Sequence, residues 1–344
     1  MAVNDDCYEP RVQVLYAPGD FIRQQFLGLR IDDAYAEGSE SFSITLSNPS
    51  GSTLGSPLSA TITITDNDAL NGTNPIDLES FFVRQHYVDF LNREPDKSGF
   101  GFWINEITSC ATSAACIEVK RINVSAAFFL SIEFQQTGYL VERLYKASYG
   151  DANGTSTLGG AAHQLAVPIV RFNEFLPDTQ KIGQGVIVGQ TGWENVLENN
   201  KQAFALEFVQ RSRFTTALPT SLSPTDFVNK LFANAGVPQS SPDYLPAISE
   251  FGSATTSADT AARSRALRRV AENATLTQQE FNRAFVLMQF CGYLRRNPND
   301  PQDTDYTGYE FWLNKLNQFN GNYINAEMVK AFITSDEYRK RFGP

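Results

Sequence analysis

The segment FVRQHYVDFL at Phe82–Leu91 returns without a gap as FVLMQFCGYL at Phe285–Leu294. Downstream, PDKSGFGFWIN at Pro95–Asn105 aligns with TDYTGYEFWLN at Thr304–Asn314, after about six extra residues in the second copy. Apolar residues in both copies fall near helical spacing. The match predicts one helical unit that was duplicated and then diverged, over about residues 78–149 and 276–344.

The two copies place Trp103 opposite Trp312, each after another aromatic residue. Matched aromatic residues at helical spacing are typical of a core, and we expect both tryptophans to be buried in equivalent positions. The alternative is a sugar-binding platform on the surface.

Between the two copies, residues 150–192 are rich in glycine and polar residues and are predicted to form a long loop or insertion. Helical patterns resume at about 194–214 and 224–235. A segment rich in Ser, Pro and Thr follows at 236–260.

The N-terminal region has a different period. In ESFSITL, which begins at Glu40, apolar and polar residues alternate, and ATITI at 60–64 repeats this alternation. Period-two alternation with Gly, Pro and Asn between the runs is typical of antiparallel strands. The predicted fold class is therefore α+β in separate domains. A partial antiparallel β-sandwich occupies 1–68, a linker 69–77, and a mostly α-helical repeat region 78–344.

Composition excludes some classes of function. The formal net charge of -10 disfavours nucleic acid and anionic lipid as partners. The sequence contains no run of about 18 apolar residues, so it predicts no membrane span. The first ten residues lack the basic and apolar regions of a signal peptide, so a secreted protein would require a truncated N-terminus.

Two of the four cysteines, Cys110 and Cys116, lie in SCATSAAC, a loop of small residues between helical patterns. A local disulfide, two free thiols and a metal site are the alternatives, and zinc would need a second close Cys or His pair. We predict a disulfide between Cys110 and Cys116.

Two parts of the sequence resemble known protein families. APGDF, IDDAYAEGSESFSITLSNPSG and ATITITDND resemble the C-terminal half of a Calx-beta domain, over roughly residues 11–68. The helical region resembles the bacterial domain-of-unknown-function family numbered forty-two fourteen over most of 78–344. The residues that carry this second match are Leu91, Arg93, Pro95, Asp96, Gly99 and Trp103.

The Calx-beta resemblance implies a sandwich with calcium ligands at one end. The residues at the matching positions are Asp32, Asp33, Glu37, Asp66 and Asp68. Calcium prefers several oxygen ligands, which clustered carboxylates supply. The alternative is that these residues form turns and protect strand edges. The family's N-terminal strands, which supply a further acidic ligand, are missing here.

Other candidates are weaker. Asp303-x-Asp305-x-Thr307 looks like the start of an EF-hand, but Asn314 stands where a bidentate Glu belongs. His86 and His163 are the only histidines, and no nucleophile motif accompanies them. Glu174 and Asp178 are candidates for a hydrolase without a supporting partner.

The sequence thus predicts a non-enzymatic structural or adhesive module of a secreted or cell-surface bacterial protein. The alternative is a calcium-dependent surface or glycan-binding module. The expected partners are other extracellular protein domains or surface glycans. Only about four strands can be counted at 11–65, whereas a complete sandwich of this type has about seven. Strand addition from another chain is therefore a further expectation.

Overall fold

Helices dominate the part of the chain that the computed structural model describes, which is residues 39–45, 53–65 and 74–343. Four strands in these residues form two antiparallel hairpins: β1 (Glu40–Thr45) with β2 (Ser59–Ile64), and β3 (Asp151–Ser156) with β4 (His163–Pro168). The helices are α1 (Glu79–His86), α2 (Lys97–Thr108), α3 (Ala114–Phe129), α4 (Ile132–Gln135), α5 (Gly138–Tyr149), α6 (Phe172–Gly183), α7 (Trp193–Phe208), α8 (Ser212–Ala217), α9 (Pro224–Ala235), α10 (Tyr244–Ser249), α11 (Thr260–Ala271), α12 (Ala274–Tyr293), α13 (Thr307–Gln318), α14 (Met328–Ile333) and α15 (Asp336–Arg339).

The strands correct the predicted fold class. The two strands predicted from the alternation are confirmed as β1 and β2, and they pair antiparallel with Phe42 opposite Ile62. Each sheet in the described residues has only two strands, however, so these residues contain no β-sandwich and the predicted α+β class is wrong. Alternation identifies a strand but does not say how many strands pair with it. The strands predicted between residues 11 and 38 lie outside the described residues.

Residues 1–82 and 335–344 group into one compact unit, and 83–334 into another. In the first unit, the Asn74 side chain donates to the carbonyl of Arg339 at 3.1 Å. Arg339 also forms two hydrogen bonds of 2.7 Å with Asp77. The Phe81 and Phe342 rings meet edge to face at 5.4 Å. The last residues of the chain therefore pack on the segment that leads into α1.

In the second unit, the two sequence copies have matching backbone turns. Asn92 follows the π-helical turn Tyr87–Leu91 that continues α1, and Arg295 lies two residues after the end of α12; both have a left-handed φ of 54°. The next residue in each copy is an arginine that lies over an aromatic ring, Tyr87 in the first copy and Phe290 in the second. Arg93 is 5.0 Å and Arg296 is 5.4 Å from the ring centroid. The turn and the cation–π contact recur together.

The tryptophans also have matching neighbours. Trp103 lies 5.8 Å from the ring of Phe128, and Trp312 lies 5.7 Å from the ring of Phe332. Both tryptophans are half-buried. Their surroundings are equivalent, as expected, but neither side chain is fully buried.

The region between the copies is more ordered than the sequence predicts. It contains the β3–β4 hairpin and α6 where a loop was expected. The hairpin packs on the second copy, since the amide of Tyr306 donates to the Thr155 carbonyl at 2.8 Å. The helix predicted at 224–235 is confirmed as α9, which Ser223 caps and Gly236 ends.

Helix α5 packs against α6, α9, α11 and α12. Every residue from Gly138 to Ser148 is buried, including Glu142, Arg143 and Lys146. Burial of charge is costly without partners. The surroundings of these three side chains therefore decide how their charges are stabilised.

Candidate functional site

Four polar side chains of α5 lie on one broad face of the helix. Tyr139, Glu142, Arg143 and Lys146 follow the i, i+3, i+4, i+7 spacing, with Tyr139 and Arg143 toward one edge of that face and Glu142 and Lys146 toward the other. The first pair contributes to a cavity. The second pair belongs to a cluster of buried charges.

The cavity has a volume of about 190 Å³ and lies where α4, α5, α11 and α12 meet. Tyr139 and Arg143 from α5 and Thr277 and Phe281 from α12 line it. Gln135, Gln136 and Glu272 complete the wall. The Tyr139 and Phe281 rings stack at 5.6 Å with an interplanar angle of 15°. One flat aromatic surface therefore adjoins several polar groups.

Arg143 is only 8% exposed. Its Nε donates to the carbonyl of Ala271 at 2.7 Å, which satisfies an acceptor at the C-terminus of α11. No carboxylate in the described part of the chain forms an ion pair with Arg143. Burial lowers the pKa of its guanidinium, because the charged form loses hydration. The Tyr139 hydroxyl, also buried, has no hydrogen-bond partner among the described residues.

Glu272, on the cavity wall, is already paired. Lys201 Nζ lies 3.2 Å from its carboxylate and also donates to the Gln136 side chain. Arg268 donates to Glu272 at 3.2 Å and holds Glu198 in a bidentate pair. These pairs leave Glu272 little capacity to neutralise Arg143.

At the other edge of the same face of α5, Glu142 lies beside Glu280. Burial, and then repulsion from Glu280, raise the pKa of Glu142 to about 8. Lys146 pairs with Asp151 at 2.7 Å. Arg283 pairs with Glu280 at 2.8 Å and with Asp151 at 2.6 Å. Glu142 is therefore mainly uncharged at neutral pH, whereas the other groups form ion pairs.

His86 lies in the core and is fully buried. Its Nε2 is 2.7 Å from the Ser125 hydroxyl, which also hydrogen-bonds Tyr293. The rings of Phe90 and Phe128 pack on the imidazole at 5.7 and 5.5 Å. This arrangement has no open side for a substrate and supports a structural role for His86.

The two carboxylates proposed for a hydrolase also have partners. Asp178 is buried and accepts two hydrogen bonds of 2.7 Å from Arg211 and one of 2.9 Å from the Tyr145 hydroxyl. Glu174 pairs with Arg213 at 2.5 Å. The structure places these two carboxylates in ion pairs between α5, α6 and the start of α8.

The predicted calcium ligands Asp32, Asp33, Glu37, Asp66 and Asp68 lie outside the described residues. Within the described ranges, no three His, Cys, Asp or Glu side chains are grouped as a metal site would need. In the EF-hand-like segment, Asp303 pairs with Arg296 at 2.7 Å, and Asp305 accepts from the Thr307 amide at 2.8 Å. Asp303 and Asp305 thus hold a turn at the start of α13.

Cys110 and Cys116 form a disulfide that closes the loop between α2 and α3, so this prediction is confirmed. Cys291 is buried and unbonded, and burial raises the pKa of its thiol to about 12. A thiol in this state is a poor nucleophile.

The duplicated helices also have an exposed face. Phe102 on α2 is 56% exposed, and its counterpart Phe311 on α13 is 45% exposed. Asn105 and Asn314, each three residues further on, are exposed on the same helical faces. Each phenylalanine meets its neighbouring tryptophan edge to face, at 4.8 and 5.0 Å. We call these two surfaces the Phe–Asn faces.

Comparison of the chain with protein-family models, with curated proteins and with solved structures found no match. The two family resemblances therefore remain predictions. No helix in the described ranges is both long and apolar enough to cross a membrane.

Proposed function

We propose that this chain is a non-enzymatic adhesive module of a secreted or cell-surface protein, and that its two Phe–Asn faces bind an uncharged polysaccharide. The observation that carries the proposal is the exposure of Phe102 and Phe311 at equivalent positions of the two copies. Aromatic residues are enriched at the cores of binding interfaces, and the duplicated unit exposes one at the same place in both copies.

The composition of these faces supports a sugar ligand. A phenylalanine ring offers an apolar surface, and the amides of Asn105 and Asn314 both donate and accept hydrogen bonds. Two equivalent faces in one chain match a ligand that itself repeats, and the second contact adds avidity. The net charge of -10 favours an uncharged polymer over a polyanion.

The disulfide supports the proposed extracellular location. Disulfides persist mainly in oxidising surroundings such as the extracellular space. The Cys110–Cys116 bond lies at the end of α2, the helix that carries Phe102. It holds the loop that follows the first Phe–Asn face.

Retention on insoluble cellulose and chitin tests the proposal. We expect F102A and F311A each to reduce retention, and the double variant to lose most of it, because avidity fails when one contact is removed. L245A is the matched control, since Leu245 is 71% exposed in the same unit but lies away from both faces in sequence. An unretained wild-type chain, or a double variant retained like wild type, would contradict the proposal.

A further inference from the structure

The cavity between α5 and α12 contains a buried guanidinium, that of Arg143, which forms no ion pair among the described residues. Arg143 is 92% buried, and its one hydrogen bond to the described residues runs from Nε to the Ala271 carbonyl. The carboxylates of Glu272 and Glu198 pair with Lys201 and Arg268, so the charge of Arg143 is left without an ion-pair partner among the described residues. A buried, uncompensated guanidinium is stabilised by an anion that reaches it.

The shape of the cavity limits the size of that anion. An apolar cavity of about 150 Å³ accommodates benzene. A volume of about 190 Å³ therefore accommodates one six-membered ring with small substituents. The half-buried Phe281, whose ring stacks on Tyr139, lines that space.

We propose that this cavity binds a small carboxylate built on a single six-membered ring, with Arg143 receiving the carboxylate. The planar guanidinium matches a carboxylate by paired hydrogen bonds. Gln135 and Thr277 on the wall are polar and suit a hydroxylated ring, whereas Phe281 suits an apolar ring.

The neighbouring buried carboxyl does not compete for Arg143 at neutral pH. Glu142 is next to it in sequence, and burial keeps Glu142 protonated up to a pKa of about 8. Glu142 is therefore mainly uncharged beside Arg143 at neutral pH.

Thermal melting and calorimetric titration with sodium glucuronate, sodium benzoate and glucose test the site at constant ionic strength. We expect at least one of the two carboxylates to raise Tm with concentration, while glucose and sodium chloride do not. Binding of glucuronate alone indicates a hydroxylated ring, and binding of benzoate alone indicates an apolar ring. No shift with either carboxylate, or an equal shift with glucose, overturns the proposal.

Two variants locate the site. R143Q should lower the affinity for whichever carboxylate binds by about 10- to 100-fold, because hydrogen bonds to a charged group are lost. R143Q also removes a helix-end contact, so T277L provides a second test by filling the cavity while keeping Arg143. T275L is its matched control, because Thr275 is exposed on the same helix and does not line the cavity. Unchanged affinity in T277L would overturn the assignment.

Discussion

Among single residues, Glu142 makes the most distinctive prediction. Its pKa is about 8 in the folded protein against an ordinary value of 4.5, so the folded state retains a proton that the unfolded state releases. The resulting contribution to stability is present below about pH 4.5 and is lost as pH rises through about 8. Between about pH 5 and 9, we expect the free energy of unfolding to fall less in E142Q than in wild type, by on the order of 1–3 kcal/mol.

Urea unfolding at several pH values measures this slope. E198Q is the control, because Arg268 lowers the pKa of Glu198 to about 2 and its carboxylate stays ionised throughout the range. Equal slopes for wild type and E142Q would show that Glu142 is already ionised at neutral pH.

Residue roles were predictable where both copies carry the same signal. The alignment of Trp103 with Trp312 indicated their equivalent ring contacts. It did not indicate their half-burial, which depends on helices packed from elsewhere in the chain. Arg143 was missed, although its place in GYLVERLYKASY, four residues after Tyr139, sets two polar groups on one face of an apolar helix.

At the scale of elements, local signals predicted helices with clear ends. α9 has Ser223 as its cap, Pro224 at its first position and a left-handed Gly236 after it. These three residue types mark the ends of a helix in the sequence itself. The β3–β4 hairpin was not predicted, because DANGTS does not alternate apolar or β-branched residues with polar ones. Contacts from distant residues, such as Tyr306 with Thr155, hold it in place.

Gly154 in β3 is where that hairpin depends most on close packing. A Cβ there would lie 2.7 Å from Tyr306 and 2.8 Å from Val167. We expect G154A to lower the unfolding free energy by about 1–3 kcal/mol, because the strand must move away from these side chains.

Urea denaturation of G154A beside G101A checks this. Gly101 lies inside α2 with nothing within 4 Å of its Cβ position, so alanine there should stabilise by about 0.5–1 kcal/mol. If both variants are as stable as each other, the hairpin does not pack tightly on the second copy.

For the molecule as a whole, the sequence separated strand-like from helical regions but did not determine the fold class. ESFSITL and ATITI do pair as strands. The number of strands in a sheet depends on long-range pairing, which alternation does not encode. The duplicated helical units were visible because helical periodicity and matched aromatic residues are local signals.

The unit formed by residues 1–82 and 335–344 joins segments distant in sequence, and two kinds of contact hold the described part together. Phe342 is 3% exposed and packs on Phe81 and Tyr338, with ring centroids at 5.4 and 5.1 Å. Arg339 and Asp77 form a surface ion pair, with side chains 36% and 43% exposed. Aromatic burial should contribute more than the ion pair, because solvent screens exposed charges.

We therefore expect F342A to lower the unfolding free energy by about 3–5 kcal/mol and R339A by less than about 1 kcal/mol. Chemical denaturation of both variants at low and moderate salt measures the difference. R339A should also approach wild type as salt rises, since the ion pair weakens on screening while aromatic packing does not. A larger loss in R339A than in F342A would mean that the ion pair, rather than the buried rings, fastens the end of the chain to the segment before α1.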